Sequence, residues 1–287
     1  MDTPLKLKFW GTRGLISSPH KDKAVHGGNT TSIQIIYKDH LIVVDTGFGV
    51  TNLGEILMER ILKNNEHMTI HIFYTHYHWD HIQGLPFFHP IYFPTTTMNI
   101  YSPLSSDHAK EQLDVLFDGS YSPFAGINSM PSKLNFHEIK KSLEIDQLEI
   151  DFSALDHGWN KNLTYAYRFK VKKGPSLVIA TDHEARPGPH NDSLLSFAKH
   201  CDLLVHDGQY FAEEYKDHQD WGHSSVDAAL DNGIQCKAKS VLLTHHSPQR
   251  TDKMIESYKK DLKKQSKFKN LDFDFAKESI IYPVGKK

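Results

Sequence analysis

The chain has 287 residues, 39% of them hydrophobic and 24% charged, the balance of a soluble globular protein with enough length to bury a sizeable core. A formal net charge of -2 argues against a protein that grips long nucleic acid through its phosphates, so no such partner is expected. The amino-terminal MDTPLKLKFWG shows no charged stretch followed by an apolar run, no window is apolar enough to span a membrane, and Cys201 and Cys236 form no motif; a cytoplasmic protein with reduced thiols and no membrane partner is expected.

In chain order, Leu5–Phe9, Ser32–Tyr37 and Leu41–Asp45 are expected as strands, rich in β-branched residues and broken by Gly or Asp turns. Leu53, Ile56, Leu57 and Ile61 recur at helical spacing, which predicts a helix over Leu53–Lys63. Met68–Tyr74 reads as a strand that runs straight into a histidine cluster. Met98–Ser102 follows as a strand and Ser106–Phe117 as a helix. Leu148–Leu155, Thr164–Val171 and Leu177–Thr181 are expected as strands, then Ser193–Lys199 as a helix, Leu203–His206 as a strand, Ser225–Asn232 as a helix and Val241–Thr244 as a strand. The last element is a helix, Lys253–Lys264, whose lysine-rich face is read as solvated and not as an RNA-binding surface. No low-complexity segment or Pro/Gly/Ser-rich linker divides the chain, so 1–287 is read as one domain. Strands in clusters with helices between them suit two packed sheets covered by helices, an α+β sandwich.

Twenty histidines outnumber the seventeen glycines. The densest run is Thr75-His76-Tyr77-His78-Trp79-Asp80-His81, directly after an apolar strand. In extended backbone His76 and His78 point to the same side. Asp80 and His81 fall where a following helix would begin, and Gly84 lets the chain turn close to them. One metal ion could take the first pair and a second ion the next. A histidine-rich surface turn is the plain alternative, and the spacing His-x-His-x-Asp-His weighs against it.

That motif resembles the metallo-β-lactamase superfamily, and later segments extend the resemblance from Trp10 to Pro248. It implies a four-layer αββα sandwich of two mixed sheets flanked by helices. It implies metal ligands His76, His78, Asp80, His81, His157 in ALDHGWN, Asp182 in LVIATDHE as the bridging carboxylate, and His245 in VLLTHHSP. Asp45 in LIVVDTGFG would support the site without binding metal. Asp45 and Asp182 could also be ordinary turn residues, His246 competes with His245 for the last position, and His183 is not expected to ligate. Imidazole and carboxylate ligands favour two Zn²⁺ ions and permit Mn²⁺ or Fe²⁺. Hydroxide shared by the two ions would attack the substrate, with Asp80 counted among the catalytic residues.

Asp182, where true β-lactamases carry Cys, makes antibiotic hydrolysis unexpected, and His78 argues against the redox branches, which carry Glu there. LLVHDGQY and WGHSS resemble segments of the ribonuclease Z and phosphodiesterase branch, with Asp207 as the acid and His223 as the histidine that serves the leaving oxygen. The alternative for His223 is a helix cap near Ser224 or Ser225. FWGTRGLISSP and HGGNTTS resemble bacterial general phosphodiesterases and cyclic-nucleotide phosphodiesterases, and place Arg13, Asn29 and Thr30 as candidate phosphate contacts, with a plain turn at Gly27-Gly28 as the alternative. The aromatic loops PFFHPIYFP and YSPFAGI could wall a base-binding pocket. A small phosphodiester is therefore the expected substrate, with room for a homodimer. Hydrolysis of an ester, thioester or lactone, cleavage at a tRNA 3′ end, and a metal-bound signalling or binding protein without turnover stay open beside it. The long arm with which ribonuclease Z holds tRNA is not visible in the sequence.

Overall fold

The computed structural model describes residues 4–120, 122–158, 163–186 and 191–285. Its first sheet is built from β1 (Leu5–Gly11), β2 (Ser32–Tyr37), β3 (His40–Val44), β4 (Met68–Phe73), β5 (Thr96–Ser102) and β6 (Lys133–Glu138). The second takes β7 (Leu143–Ile145), β8 (Leu148–Asp156), β9 (Leu163–Val171), β10 (Ser176–Ala180), β11 (Leu203–Asp207), β12 (Ser240–Thr244) and β13 (Asp272–Phe275), and β14 (Ile281–Pro283) returns to the first. Strand order is β14-β1-β2-β3-β4-β5-β6 in one sheet and β13-β12-β11-β10-β9-β8-β7 in the other. Each sheet is antiparallel at one end and parallel from β3 to β6 or from β10 to β13.

Alternation along the strands decides what each face covers. Phe9, Ile35, Val44 and Phe73 meet Tyr167, Phe169, Ile179 and Val205 between the sheets. The opposite face of the first sheet, Ile70, Ile72, Met98 and Ile100, packs on Leu53, Leu57 and Ile61 of α1 (Val50–Asn64). The outer face of the second sheet, Val178, Leu204, Val241 and Leu243, covers α4 (Asp192–Phe197), α6 (Val226–Gln235) and α7 (Asp252–Lys264) through Leu194, Leu230 and Ile255. The remaining helices are short: α2 (Trp79–Ile82), α3 (Ser106–Asp114) and α5 (Ala212–Tyr215). The layers run helix, sheet, sheet, helix, the four-layer sandwich with two mixed sheets of an α+β fold. Among the described residues no helix is long and apolar enough to cross a membrane.

Four strands go beyond the sequence-based expectation: β6, β7, β13 and β14. All four are sheet edges, where a strand paired on one side only carries little apolar alternation.

Candidate metal centre

The loops that leave β3, β4, β8, β10, β11 and β12 at their carboxyl ends converge on one edge of the sandwich, where open sheets characteristically hold ligands. On this edge three residues just past strand ends have left-handed backbone: Asp45 (φ 59°), Asp182 (φ 56°) and His245 (φ 59°). A non-glycine residue in this region is uncommon, and it turns the chain back so that the side chain stands over the sheet edge.

Two main clusters of ligand-type atoms result, each with its atoms within 4.8 Å of one another and both containing Asp182; a third group, Asp182, Asp207, His223 and His245, overlaps the second. In the first, His78 Nδ1 lies 3.0 Å from His157 Nε2, and Asp182 Oδ2 lies 3.7 Å from His76 Nε2 and 3.8 Å from His157 Nε2. In the second, Asp182 Oδ1 lies 3.2 Å from His81 Nε2 and 3.3 Å from His245 Nε2, while Asp80 Oδ2 lies 3.1 Å from His245 Nε2. The two oxygens of Asp182 thus face different clusters. Donor atoms roughly 2.0–2.1 Å from a tetrahedral zinc ion would stand about 3.3 Å apart, close to these separations. His76 Nε2 is buried and has no hydrogen-bond partner among the described residues, a costly arrangement for a ring nitrogen unless a cation takes its lone pair. These donor sets fit a divalent metal.

The electrostatics agree with that use. Burial, reinforced by His81, pushes His76 well below the ordinary imidazole range, and burial pushes His157 down to about 4, so both stay neutral and able to donate a lone pair. Burial alone would raise the Asp182 carboxyl, but His245, His81 and His76 outweigh it and keep it ionised. Around the clusters the second ring nitrogens are held. Asp45 Oδ2 lies 2.8 Å from His81 Nδ1, and Asp45 also accepts from the Thr75 backbone N–H and hydroxyl at 2.8 Å each. Gln209 Oε1 lies 2.9 Å from His245 Nδ1, and the Gly222 carbonyl 2.9 Å from His157 Nδ1. Such partners fix the ring orientation and raise ligand basicity. Two glycines admit the rings. A Cβ on Gly14 would stand 2.1 Å from His245 Cε1, and one on Gly222, at φ +86°, 2.4 Å from His157 Nδ1.

Residues 40–246 match the family described as Beta-lactamase superfamily domain. The chain belongs to the β-lactamase superfamily. Ribonuclease Z of Pyrococcus horikoshii is 24% identical over 282 residues, with 85% of this chain and 87% of that protein covered. Among solved structures, the metallo-β-lactamase fold protein YhfI of Bacillus subtilis is similar with a TM-score of 0.65, at 18% identity and coverage of 98% and 99% of the two chains. A diphosphatase of the PhnP family is similar with a TM-score of 0.66, at 18% identity over 98% and 100%. The superfamily membership and the two donor clusters make the chain a metal-dependent hydrolase of the metallo-β-lactamase fold.

In this superfamily member a further pair sits beside both clusters. Asp207 Oδ2 lies 2.8 Å from His223 Nδ1, and Asp207 Oδ1 accepts from the backbone N–H groups of Gln209 (3.1 Å) and Ser224 (3.0 Å). The His223 ring stacks on His245 at 4.8 Å and meets His157 edge-on at 5.2 Å. Burial opposes charge on His223, but Asp207 above all, then Asp182 and Asp80, outweigh it and lift the imidazolium to about 9. The helix-cap alternative falls to another residue: Ser225 caps α6 by accepting from Ala228 N–H.

Of the histidines left open by sequence, His245 enters the second cluster, while His246 Nε2 faces the Ala276 carbonyl at 3.2 Å. His183 is held between the Asp156 carbonyl and Asn191. The structure does not bring the three candidate phosphate contacts to the clusters. Arg13 is wholly buried and donates to the carbonyls of Gly27, Ser247 and Arg250, tying the glycine-containing loop to the segment after His245. Asn29 donates to Glu278. Thr30 Oγ1 accepts from Phe48 N–H and Gln83. A hydrophilic signature between glycines gave no hint that its polar groups would be consumed internally. The aromatic loops build a separate apolar groove, where Phe87, Tyr92 and Phe124 meet Phe48; Tyr121 lies outside the described residues, as do Trp159 and Asn160 of the His157 segment.

Glu184 carries no sequence signal beyond its place two residues after Asp182. Its buried carboxylate accepts from Tyr215 hydroxyl (2.8 Å), Asp220 N–H (2.8 Å) and Gly222 N–H (2.9 Å), and pairs with Arg186 (2.9 Å). It therefore anchors the loop that presents both the Gly222 carbonyl and His223.

Proposed function

We propose that the chain is a phosphodiesterase that uses two divalent ions and acts on a small phosphodiester of the nucleotide kind, a cyclic nucleotide among the candidates. The observation that carries this reading is the buried Asp207–His223 pair set against both donor clusters. His76, His78, His157 and Asp182 would hold one ion, and Asp80, His81, His245 and Asp182 the other. Zinc suits these ligands best, and manganese or iron also fit. When bound, the ions supply Lewis acidity that makes water a better nucleophile and offsets phosphoryl charge.

With Nδ1 committed to Asp207, Nε2 of His223 is the nitrogen left to address the substrate. As water adds to phosphorus, a new P–O bond forms and the bond to the leaving oxygen breaks. The leaving oxygen departs with the electron pair and takes the His223 proton. The proton shed by water restores the imidazolium, and the products are an alcohol and a phosphomonoester. A thioester hydrolase has less need of a buried, carboxylate-backed proton donor, because a thiolate, whose thiol has a pKa of about 8.5, leaves more readily than an alkoxide. A tRNA 3′-end endonuclease is the second reading, favoured by the ribonuclease Z relatives.

The test is a panel of bis(p-nitrophenyl) phosphate, cyclic nucleotides, a thioester and a precursor tRNA, offered to metal-loaded protein. Turnover of the diesters with little on the thioester is expected. Thioester turnover without diester turnover overturns the reading, and cleavage of the tRNA alone transfers it to the endonuclease.

A further inference from the structure

Two cavities flank the metal centre along the strand-end edge. One, of about 380 Å³, has His76, His78 and His157 in its wall, and beyond them Tyr77, Tyr165 and Gln112. The other, of about 300 Å³, is lined by Leu15, Gln209, Tyr210, His218, Trp221 and Ser247. Both volumes lie in the range of about 300–1,000 Å³ that small-molecule sites occupy.

Topology sets them on opposite sides. The first opens at the ends of β4, β5 and β9, the second beyond β11 and β12. In the second sheet β9 and β12 are separated by β10 and β11, about 14 Å at the usual strand spacing. Asp182, which follows β10, lies between. The second cavity is bound directly to the centre: Leu15 N–H donates to Asp80 Oδ2 at 2.8 Å, Gln209 holds His245, and the Tyr210 ring lies 6.2 Å from that of His223.

Both cavities offer ring surfaces next to polar groups. In the second, Tyr210 stacks on His218 at 4.4 Å and His218 meets Trp221 at 5.0 Å, leaving Trp221 61% exposed at the rim. In the first, the half-buried rings of Tyr77 and Tyr165 stand beside the Gln112 amide. An alkyl chain would leave these polar groups unpaired, whereas a heteroaromatic base can stack and hydrogen-bond in the same place.

We infer that the substrate is a linear phosphodiester with a nucleobase on each side of the phosphate, one base in each cavity and the leaving arm on the Trp221 side, next to His223. This rests on the phosphodiesterase reading and narrows it. A 3′,5′-cyclic nucleotide has both ester oxygens on one sugar and fills one cavity only. A long polynucleotide is disfavoured by the net charge of -2.

The experiment compares adenylyl-(3′→5′)-adenosine with 3′,5′-cyclic AMP on the metal-loaded full chain and two variants. Trp221→Ala removes an exposed ring, so its cost to the fold is small. Gln112→Trp fills the first cavity from the surface of α3. Each variant should raise KM for the dinucleoside phosphate about 5- to 150-fold, the span of base–aromatic stacking, with kcat little changed. For the cyclic nucleotide only one variant should do so. Calorimetric binding of the non-bridging phosphorothioate of the dinucleoside phosphate runs in parallel. If no diester is hydrolysed but the analogue binds and both variants weaken it, the two-cavity site stands and the phosphodiesterase reading falls. Equal KM values for the dinucleoside phosphate in wild type and both variants, or no binding of the analogue, overturn the inference.

Discussion

Replacing Asp207 by Asn tests the proton donor through its charge while leaving its shape. Asp207 Oδ1 is held by two backbone N–H groups, so the single oxygen of an Asn would turn toward Gln209 and Ser224 and its amide NH₂ toward His223 Nδ1. That nitrogen would then have to accept, and the imidazolium would lose the carboxylate that contributes most to lifting it to about 9. In metal-free protein, with a value near 6.5 or below, the protonated fraction at pH 8 drops from about nine tenths to about three hundredths, a difference of about 30-fold in general-acid competence. Below both titrations the two enzymes should converge. Bound cations would pull both titrations down together, but the separation between them belongs to Asp207. The assay is kcat/KM from pH 5.5 to 9.5, on bis(p-nitrophenyl) phosphate and on a dinucleoside phosphate, with metal content measured alongside. The nitrophenolate leaves with little help, so its loss should be the smaller. Parallel pH profiles for Asp207→Asn and wild type, or equal losses on both substrates, would refute the proton-donor role.

Asp182→Ala removes an oxygen from both clusters, so elemental analysis should find both ions depleted together; two ions retained would place the bridge elsewhere. Asp45→Asn should weaken metal binding by about 10- to 100-fold through a misoriented His81, measured by competition with a chelating dye; unchanged affinity would leave Asp45 a plain turn residue. Glu184→Ala strands the Gly222 and Asp220 N–H groups at about 1–3 kcal/mol each, and should expose the 215–222 segment to limited proteolysis and lower kcat; an unchanged cleavage pattern would remove its anchoring role. In metal-free protein the folded His223 value, about 9, exceeds its unfolded one. The stability it lends is therefore complete below about pH 6.5 and lost as pH rises through 9; a urea midpoint that stays flat from pH 6 to 10 would contradict it.

Much of the site was legible because its ligands follow apolar strands. Met68–Phe73 announces itself by composition, and His76, His78, Asp80 and His81 come directly after it. Asp207 and His223 were likewise readable from two short segments. What sequence could not carry was pairing at a distance. Glu184 becomes a hub only because the chain returns at 215–222, and Gln209 matters only because β11 and β12 lie side by side, which puts its amide against His245. Arg13 misled for the same reason: its guanidinium meets carbonyls more than 200 positions away. The edge strands were hidden for a different cause. β13 reads DFDF and β14 IYP, four and three residues, too short for a strand pattern to stand out.

The three left-handed residues join the fold to the chemistry. Asp45, Asp182 and His245 each end a strand in a conformation that L-residues other than glycine, Asn and Asp seldom hold, and His245 has neither a short side chain nor a local bond to excuse it. A glycine at any of the three would relieve backbone strain and abolish a donor or, at Asp45, the group that orients one. The strain is retained where the side chain is needed: on the shared carboxylate, on the carboxylate that orients His81, and on the last imidazole of the second cluster. Neighbouring packing enforces it, since Asp45 is locked by Thr75 and His81 while His245 is wedged between Gln209 and the bare face of Gly14. The donors are therefore preorganised by the strand ends themselves before any ion arrives.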